Sequence, residues 1–291
     1  MQTTWRTRLC AVLAHPPAPS IPQALLSGVA EATSTDLSVL TFDASLRTII
    51  EPITALRTLR ARGAYLDGRL RCAASGQVDY LSDEAHGADV INLITFDTDT
   101  ATGHNTEAMA MQKLLEPHRE RLTGGVAVIF GSGTVARSAA YILTRHFRIR
   151  HLLIAARSTQ QGALLRDHIG GMFATARITV EEMFPPDLVD AVAEARIIVN
   201  ATPIGSPGHS EATPFPIEDV FGSRQIVLDA VLHSEGTRLL QAAAGAGATT
   251  ISGDELMVEQ IGAAWQILTE RPAPHAELRR LLDAHLSPQT A

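Results

Sequence analysis

The residues with the clearest chemical use stand in one stretch, Gly125 to Ser158, of a 291-residue chain. Val126-Ala-Val-Ile-Phe130 is a short apolar run rich in β-branched residues, which predicts a buried strand. Gly131-Ser132-Gly133-Thr134-Val135-Ala136 follows it and opens a helix. Gly131 permits a tight turn, Gly133 lets the backbone approach a bulky anion, and Ala136, in place of a third glycine, keeps the helix close to the strand. The free N–H groups at that helix start, at the positive end of its dipole, suit a pyrophosphate. Leu152 to Ala156 predicts a second strand after a crossover helix, and this order is more specific than the glycine spacing alone. An acidic residue at the tip of that second strand would bind ribose hydroxyls, but the tip reads Ala156-Arg157-Ser158-Thr159. A guanidinium beside two hydroxyls suits a 2′-phosphate, so NADP is expected rather than NAD. Elsewhere such an arginine would be a solvated loop residue; its place after the second strand favours the cofactor.

Composition narrows the class of protein around this stretch. A hydrophobic fraction of 45% with 19% charged residues is that of a soluble globular chain, long enough for one large or two ordinary domains. The net charge of −7 argues against a nucleic-acid or anionic-membrane partner. No apolar run is long enough to span a bilayer. The start of the chain carries no signal-peptide pattern, and Cys10 and Cys72 form no metal or redox motif. A cytoplasmic setting and no metal are expected. Lys113 is the only lysine, so any chemistry that needs an amine side chain must use it.

The elements that must position these residues alternate along the chain. Leu9–Ala14 and Leu37–Phe42 predict strands, and Pro22–Ala32 a helix capped by Ser20. Leu46–Arg62 predicts a helix with Leu56 and Leu59 inward, Ala64–Leu70 a short strand weakened by Gly68, and Val90–Thr95 a strand. A helix is expected from Gly103 to about Leu122, interrupted near Pro117. Beyond Gly125, strands are expected at Arg177–Val180, Ala195–Asn200, Gln225–Asp229 and Ala248–Ile251, and helices at Arg238–Ala246, Asp254–Leu268 and His275–His285. The fold class is therefore α/β, with two units.

Five stretches carry a family resemblance, in colinear order. Asn200-Ala201-Thr202-Pro203-Ile204-Gly205 resembles the signature loop of shikimate dehydrogenases, and Gly103-His-Asn105-Thr106-Glu107 their Gly-x-Asn-Thr-Asp segment. Asp229-x-x-Leu232 with Thr237-x-Leu239-Leu240 follows the spacing of a third motif. Gly253 to Gln260, with Trp265 beyond, resembles a segment ending at a substrate-binding glutamine, and Ala85–Asn92 a run ending at a substrate-binding asparagine. The resemblance implies a substrate domain (1–122, with 254–291 returning to it) and a Rossmann-type, doubly wound NADP-binding domain (123–253), with a cleft between them. It implies hydride transfer between nicotinamide and a carbinol or ketone on a small ring. Asn200, Ala201, Thr202, Pro203, Ile204 and Gly253 would lie along the cofactor; Asn92, Asn105, Gln260 and Ser20 would face substrate.

The departures from the family bear on the chemistry. The family's Val-Thr-x-Pro-x-Lys loop, counted back from Leu81-Ser82 without gaps, falls on Leu66-Asp67-Gly68-Arg69-Leu70-Arg71, so the catalytic lysine becomes Arg71. A guanidinium stays charged; it can polarise an oxygen but does not shuttle protons. The partner aspartate becomes Glu107, expected to handle the proton. Lys113 projects from another face of the same predicted helix and does not substitute. Leu232 and Leu93 replace a tyrosine and a threonine, and the Ser-x-Ser carboxylate motif is absent, leaving Ser20 as the hydroxyl between His15 and Pro22. Tyr65, Asp67, Arg69, Arg71 and Tyr80 are the candidate new lining residues. The expectation is an NADP-dependent oxidoreductase acting on a small cyclic or carbonyl substrate other than shikimate, with a homodimer open as its assembly state. A non-catalytic NADP-binding module, and a shikimate or quinate dehydrogenase with an altered catalytic pair, stay open beside it.

Overall fold

The computed structural model describes residues 3–287 and divides into two compact units. One holds the residues up to Met109 together with those from Val258 on, and the other holds Ala110–Met257. The divisions fall inside two helices. A continuous helix carries its hydrogen bonds straight through the boundary and marks no seam.

The first unit is built on β1 (Arg8–Ala14), α1 (Ile21–Ala32), β2 (Leu37–Asp43), α2 (Ile50–Thr58), β3 (Gly63–Leu66), β4 (Tyr80–Leu81), α3 (Asp83–Ala88), β5 (Leu93–Phe96) and β6 (Ala101–His104). Its sheet has the order β2-β1-β3-β5-β6-β4. β1 pairs parallel with both β2 and β3, while β5 runs antiparallel to β3 and β6. β1 is buried from Cys10 to Ala14, as a central strand must be, whereas the edge strand β2 leaves Leu40 and Phe42 exposed. Ser20 caps α1 by accepting from the Gln23 N–H, and Pro22 fits the first turn, where no N–H is missed.

Several expected elements shift. The helix foreseen from Leu46 starts only at Ile50, because Ser45 and Thr48 close a turn of their own and Pro52 is tolerated only in a first turn. It ends at Thr58, beyond which Arg60 turns the chain at φ +57, and Leu59 lies 73% exposed rather than inward. The strand foreseen over Ala64–Leu70 stops at Leu66, where Asp67 opens a turn. The strand at Val90 begins at Leu93, and Gly103 lies in β6 rather than opening a helix. A Cβ at Gly103 would strike the Ile91 side chain at 2.7 Å, so that glycine serves close packing. The helix starts instead as α4 (Thr106–Leu115), and the Asn105 Oδ1 accepts from the Ala108 N–H as its cap. Pro117 then falls in a 3₁₀ turn.

The second unit comprises α5 (Arg119–Leu122), β7 (Val126–Phe130), α6 (Thr134–Arg145), β8 (His151–Ala156), α7 (Thr159–Met172), β9 (Arg177–Glu182), α8 (Pro185–Glu194), β10 (Ile197–Asn200), β11 (Ile226–Asp229), α9 (Arg238–Gly245) and β12 (Thr249–Ile251). All six strands are parallel, in the order β12-β11-β10-β7-β8-β9. Two halves diverge from the β7–β10 pair, which makes this the doubly wound, Rossmann-type arrangement. β7, β10 and β11 are buried throughout, as strands with helices on both faces must be.

The chain then enters α10 (Gly253–Thr269) and α11 (His275–Leu286). Ser252 and Glu255 form a reciprocal capping box at the start of α10. Its far end returns to the first sheet: Arg62, just before β3, donates to the Leu268 carbonyl at 2.5 Å and to Glu270 at 2.7 Å. α11 packs on α1, where Leu281 presses against Gly28. Among the described residues no helix is long and apolar enough to cross a membrane.

The turn after β7 generates a stability prediction. Gly131 sits at φ +112, and a Cβ there would meet the Ala201 carbonyl oxygen at 2.9 Å. Gly131→Ala should destabilise the protein by about 1–3 kcal/mol, seen as a lower thermal midpoint. An unchanged midpoint would mean that this turn is free to reshape.

Candidate active site

In the second unit the loop after β7 is shaped by its neighbours. The Gly131 N–H donates to the Ala155 carbonyl on β8, and the Ala201 N–H after β10 donates to the Phe130 carbonyl on β7. The turn thus lies at the carboxyl ends of β7 and β10, where the strand order reverses and open sheets of this kind bind ligands. Gly133 is the cap residue of α6 and makes no side-chain capping bond. A Cβ built on it would meet nothing within 4 Å, so open space lies in front of the backbone there. The first-turn N–H groups, including those of Thr134, Val135 and Ala136, have no intrahelical acceptor. Ala136 is fully buried and holds the helix against the sheet. These features fit a pyrophosphate: donors, dipole and clearance coincide. Arg157 and Thr159 are exposed at the tip of β8, and the Ser158 hydroxyl caps α7 by accepting from the Gln161 N–H.

The Asn200–Ile204 loop is held by side chains turned inward. Asn200 is buried; its Nδ2 donates to the Asp229 carboxylate at 2.9 Å and to the Ile204 carbonyl at 3.1 Å. Its Oδ1 accepts from the Thr202 N–H and hydroxyl. Asp229 also accepts from the Thr237 hydroxyl at 2.5 Å and the Val231 N–H at 3.0 Å. Burial pushes the Asp229 carboxyl above its ordinary range, although these hydrogen bonds pull the other way. Asn200 therefore spends its amide on shaping the loop. Pro203 stays exposed, and Ala201, Thr202 and Ile204 are half-buried. Gly253 begins α10 where a Cβ would collide with the Val231 carbonyl, so only glycine fits.

In the first unit a polar cluster lies in the protein interior. Arg71 follows the turn after β3, and its Nη1 donates to Glu107 Oε2 at 2.9 Å. The two side chains are only 12% and 6% exposed. Burial alone would lower the Arg71 guanidinium, yet the charge of Glu107 and the nearby Tyr65 and Asp67 raise it overall. Glu107 stands in the first turn of α4, favoured there by the helix dipole. Asn92, just before β5, accepts through Oδ1 from the Thr106 N–H at 2.9 Å and hydroxyl at 3.2 Å. Gln260, from α10, donates a short hydrogen bond to the Tyr65 hydroxyl, and Tyr65 is itself buried on β3. Two buried polar atoms here, Asn92 Nδ2 and Glu107 Oε1, have no hydrogen-bond partner among the described residues. One is a donor and one an acceptor, so a ligand carrying both a hydrogen-bond acceptor and an O–H group would satisfy them.

This cluster gathers Arg71, Asn92, Asn105, Glu107 and Gln260 on or beside neighbouring elements of one unit. Asn105 is buried as the cap of α4, and the Ser20 Oγ accepts from the Gln23 N–H as the cap of α1. Of the candidate lining residues, Tyr65 and Arg71 belong to the cluster. Asp67, Arg69 and Tyr80 are exposed, Tyr80 at 62% on the edge strand β4. Lys113 is exposed, whereas Glu107 on the same helix is buried. The inward network of Asn200, Asp229 and Thr237 escaped the sequence reading; the signal was the fixed distance between Asp229 and Thr237, which a strand end and a helix cap require.

Comparison with known proteins places these features in a family. No protein-family model matches the chain. A curated shikimate dehydrogenase (NADP(+)) of Anaeromyxobacter dehalogenans is 30% identical over 285 residues, covering 97% of this chain and 98% of the relative. One from Pelodictyon phaeoclathratiforme is 34% identical over 199 residues, 68% of each. Among solved structures, shikimate 5-dehydrogenase from Listeria monocytogenes, in complex with shikimate and NAD, superposes with a TM-score of 0.88 at 22% identity, covering 97% of this chain and 98% of that one. The ligand-free 5-ketofructose reductase of Gluconobacter gives 0.85 at 20% identity, covering 97% and 100%. The low identity of the solved structures speaks for the fold, and the curated relatives speak for descent: the chain belongs to the shikimate dehydrogenase family.

Proposed function

We propose that the protein is an NADP-dependent oxidoreductase interconverting a carbinol and a ketone on a small polyhydroxylated molecule other than shikimate. The observation that carries this reading is the Arg71–Glu107 pair, with Asn92 Nδ2 and Glu107 Oε1 left unsatisfied beside it. A buried polar atom without a partner costs roughly 1–3 kcal/mol. A ligand oxygen accepting from Asn92 and a ligand hydroxyl donating to Glu107 would recover that cost. The paired serines that would seat a carboxylate are not found between His15 and Pro22, where Ser20, the cap of α1, is the one hydroxyl. A site without that seat favours an uncharged polyol or hydroxyketone.

The dinucleotide, when bound, supplies or accepts a hydride at the carbinol carbon. Gly133 and the first turn of α6 would hold its pyrophosphate, and Arg157 its 2′-phosphate. Arg71 keeps a fixed positive charge where negative charge develops on the substrate oxygen during reduction. Glu107 holds Arg71 in place through Oε2 and offers Oε1 to a substrate hydroxyl.

The test follows NADPH absorbance with 5-ketofructose, and NADP⁺ reduction with shikimate and quinate. Turnover of the keto sugar exceeding that of shikimate is the expected result; efficient shikimate oxidation would overturn the substrate assignment. Arg157→Ala should weaken NADPH binding about tenfold by calorimetry and leave NADH unaffected. Equal effects on both would remove Arg157 from the phosphate site.

A second prediction separates chemistry from stability at the pair. Glu107→Gln strands the buried Arg71 charge and should cost about 3–5 kcal/mol of stability. Replacing both, Arg71→Met with Glu107→Leu, should restore most of the thermal midpoint while turnover stays lost. Retained turnover in the double variant would show that the pair is structural only.

A further inference from the structure

Reduction of a ketone needs a group that gives a proton to the oxygen, and the two charged residues of the cluster are poor sources. The guanidinium of Arg71 holds its protons permanently. Glu107 is committed through Oε2 to its contact with Arg71. Asn92 and Gln260 are amides and do not ionise. Lys113 is exposed. That leaves the phenol of Tyr65. Its oxygen accepts from Gln260 Nε2, a bond that does not use the O–H proton. The Asn92 side chain lies close enough to the same hydroxyl to pull it down, while its Nδ2 has no partner at full hydrogen-bond geometry. A carbonyl oxygen placed between them would accept from Tyr65 Oη–H and Asn92 Nδ2–H through its two lone pairs.

We propose that the Tyr65 hydroxyl is the proton donor to the substrate oxygen in reduction and the acceptor in oxidation, with Arg71 stabilising the phenolate formed. The inference rests on the oxidoreductase reading above. With the hydride to carbon accounted for by NADPH, the C=O π pair moves onto oxygen. The Tyr65 O–H bond then breaks as the product O–H bond forms, and the phenolate regains its proton from water. The charged groups facing the hydroxyl are Arg71 and Glu107. Across the sheet on β1, Cys10 is pushed up to about 12 by burial, despite a hydrogen bond with the Tyr65 backbone that lowers it, and stays a neutral thiol.

Burial likewise pushes Tyr65 up to about 12; Arg71 pulls it down, Glu107 pushes it up, and Gln260 and Asn92 pull it down. The sign for the two directions follows. The phenol is present at every pH below about 12, so reduction should be nearly flat with pH on this account. Oxidation needs the phenolate, whose population rises about tenfold per pH unit up to that value, and its rate should climb with the same slope through neutral and mildly alkaline pH.

The experiment compares the unaltered chain with Tyr65→Phe, which removes one oxygen and keeps the ring. Tyr65→Phe should lose at least a hundredfold in kcat with 5-ketofructose, change KM less than threefold, and keep its NADPH affinity. The tilted pH profile of oxidation should disappear in it. A second readout needs neither turnover nor a folded variant at position 65. In cofactor-free protein labelled with [¹³Cζ]tyrosine, the chain gives lines for three tyrosines, and Tyr80→Phe and Tyr141→Phe identify Tyr65 by elimination. Adding 5-ketofructose should shift that line. Turnover present in the unaltered chain and retained in Tyr65→Phe, or a Tyr65 line indifferent to the keto sugar, overturns this inference alone. No turnover of any compound in the panel by the unaltered chain overturns the oxidoreductase reading, and this inference with it.

Discussion

A positive charge buried beside a negative one governs the first unit. The Arg71–Glu107 contact joins the turn after β3 to the first turn of α4. Arg71 is held at several other points: its Nε reaches the Leu66 carbonyl at 3.4 Å, and its own carbonyl accepts from the Ile91 N–H at 3.2 Å. Taking both charges out of water is costly, and a pair of apolar side chains of similar volume would serve stability as well or better. Its retention is therefore better explained by what it does to the groups around it. Tyr65, Asn92 and Gln260 all lie within the reach of this field, and each is oriented by a bond to a different element of the unit. Remove the pair, and the cluster keeps its shape but loses the charge that gives it chemical direction.

The second unit solves a different problem with the opposite means. Its strand-end side chains Asn200 and Asp229 bind each other, and the helix cap Thr237 binds Asp229, so that backbone is what the loops display. Gly131 and Gly253 have no room for a Cβ, whereas Gly133 has nothing before it. The distinction sorts glycines that fold the chain from one that clears space for a ligand. Local satisfaction of polar groups keeps the loops rigid, and rigidity lets main-chain N–H groups act as fixed donors.

Much of this architecture is legible in the residues themselves. The buried runs Val126–Phe130 and His151–Ala156, with the glycine turn between, announce a parallel sheet because apolar continuity has no other stable use at that length. Ser20 announces a cap, and Pro117 a break. The first unit reads less well, for a physical reason. β4 and β6 are only two and four residues long and owe their existence to pairing, which no local pattern records. Gly103, read as a helix opener, is in a strand because Ile91 packs where its side chain would be. At the site, Arg71 and Glu107 were readable as partners through the resemblance, but their burial and the geometry of their contact were not. The bond from Gln260 to Tyr65 spans 195 positions, a distance over which spacing carries no information.

The first unit is discontinuous, and this has a bearing on how the protein is made. Trp265 and Leu268 are buried with the first sheet's unit, and the Leu268 carbonyl fastens to Arg62. Both residues leave the ribosome after the whole of the middle segment has been translated. The nascent amino-terminal strands must therefore wait, with an apolar face uncovered, while the later-synthesised parallel sheet can complete itself first. In the cell, that interval is when a holdase chaperone would find its binding surface, and the last helices to emerge end the wait.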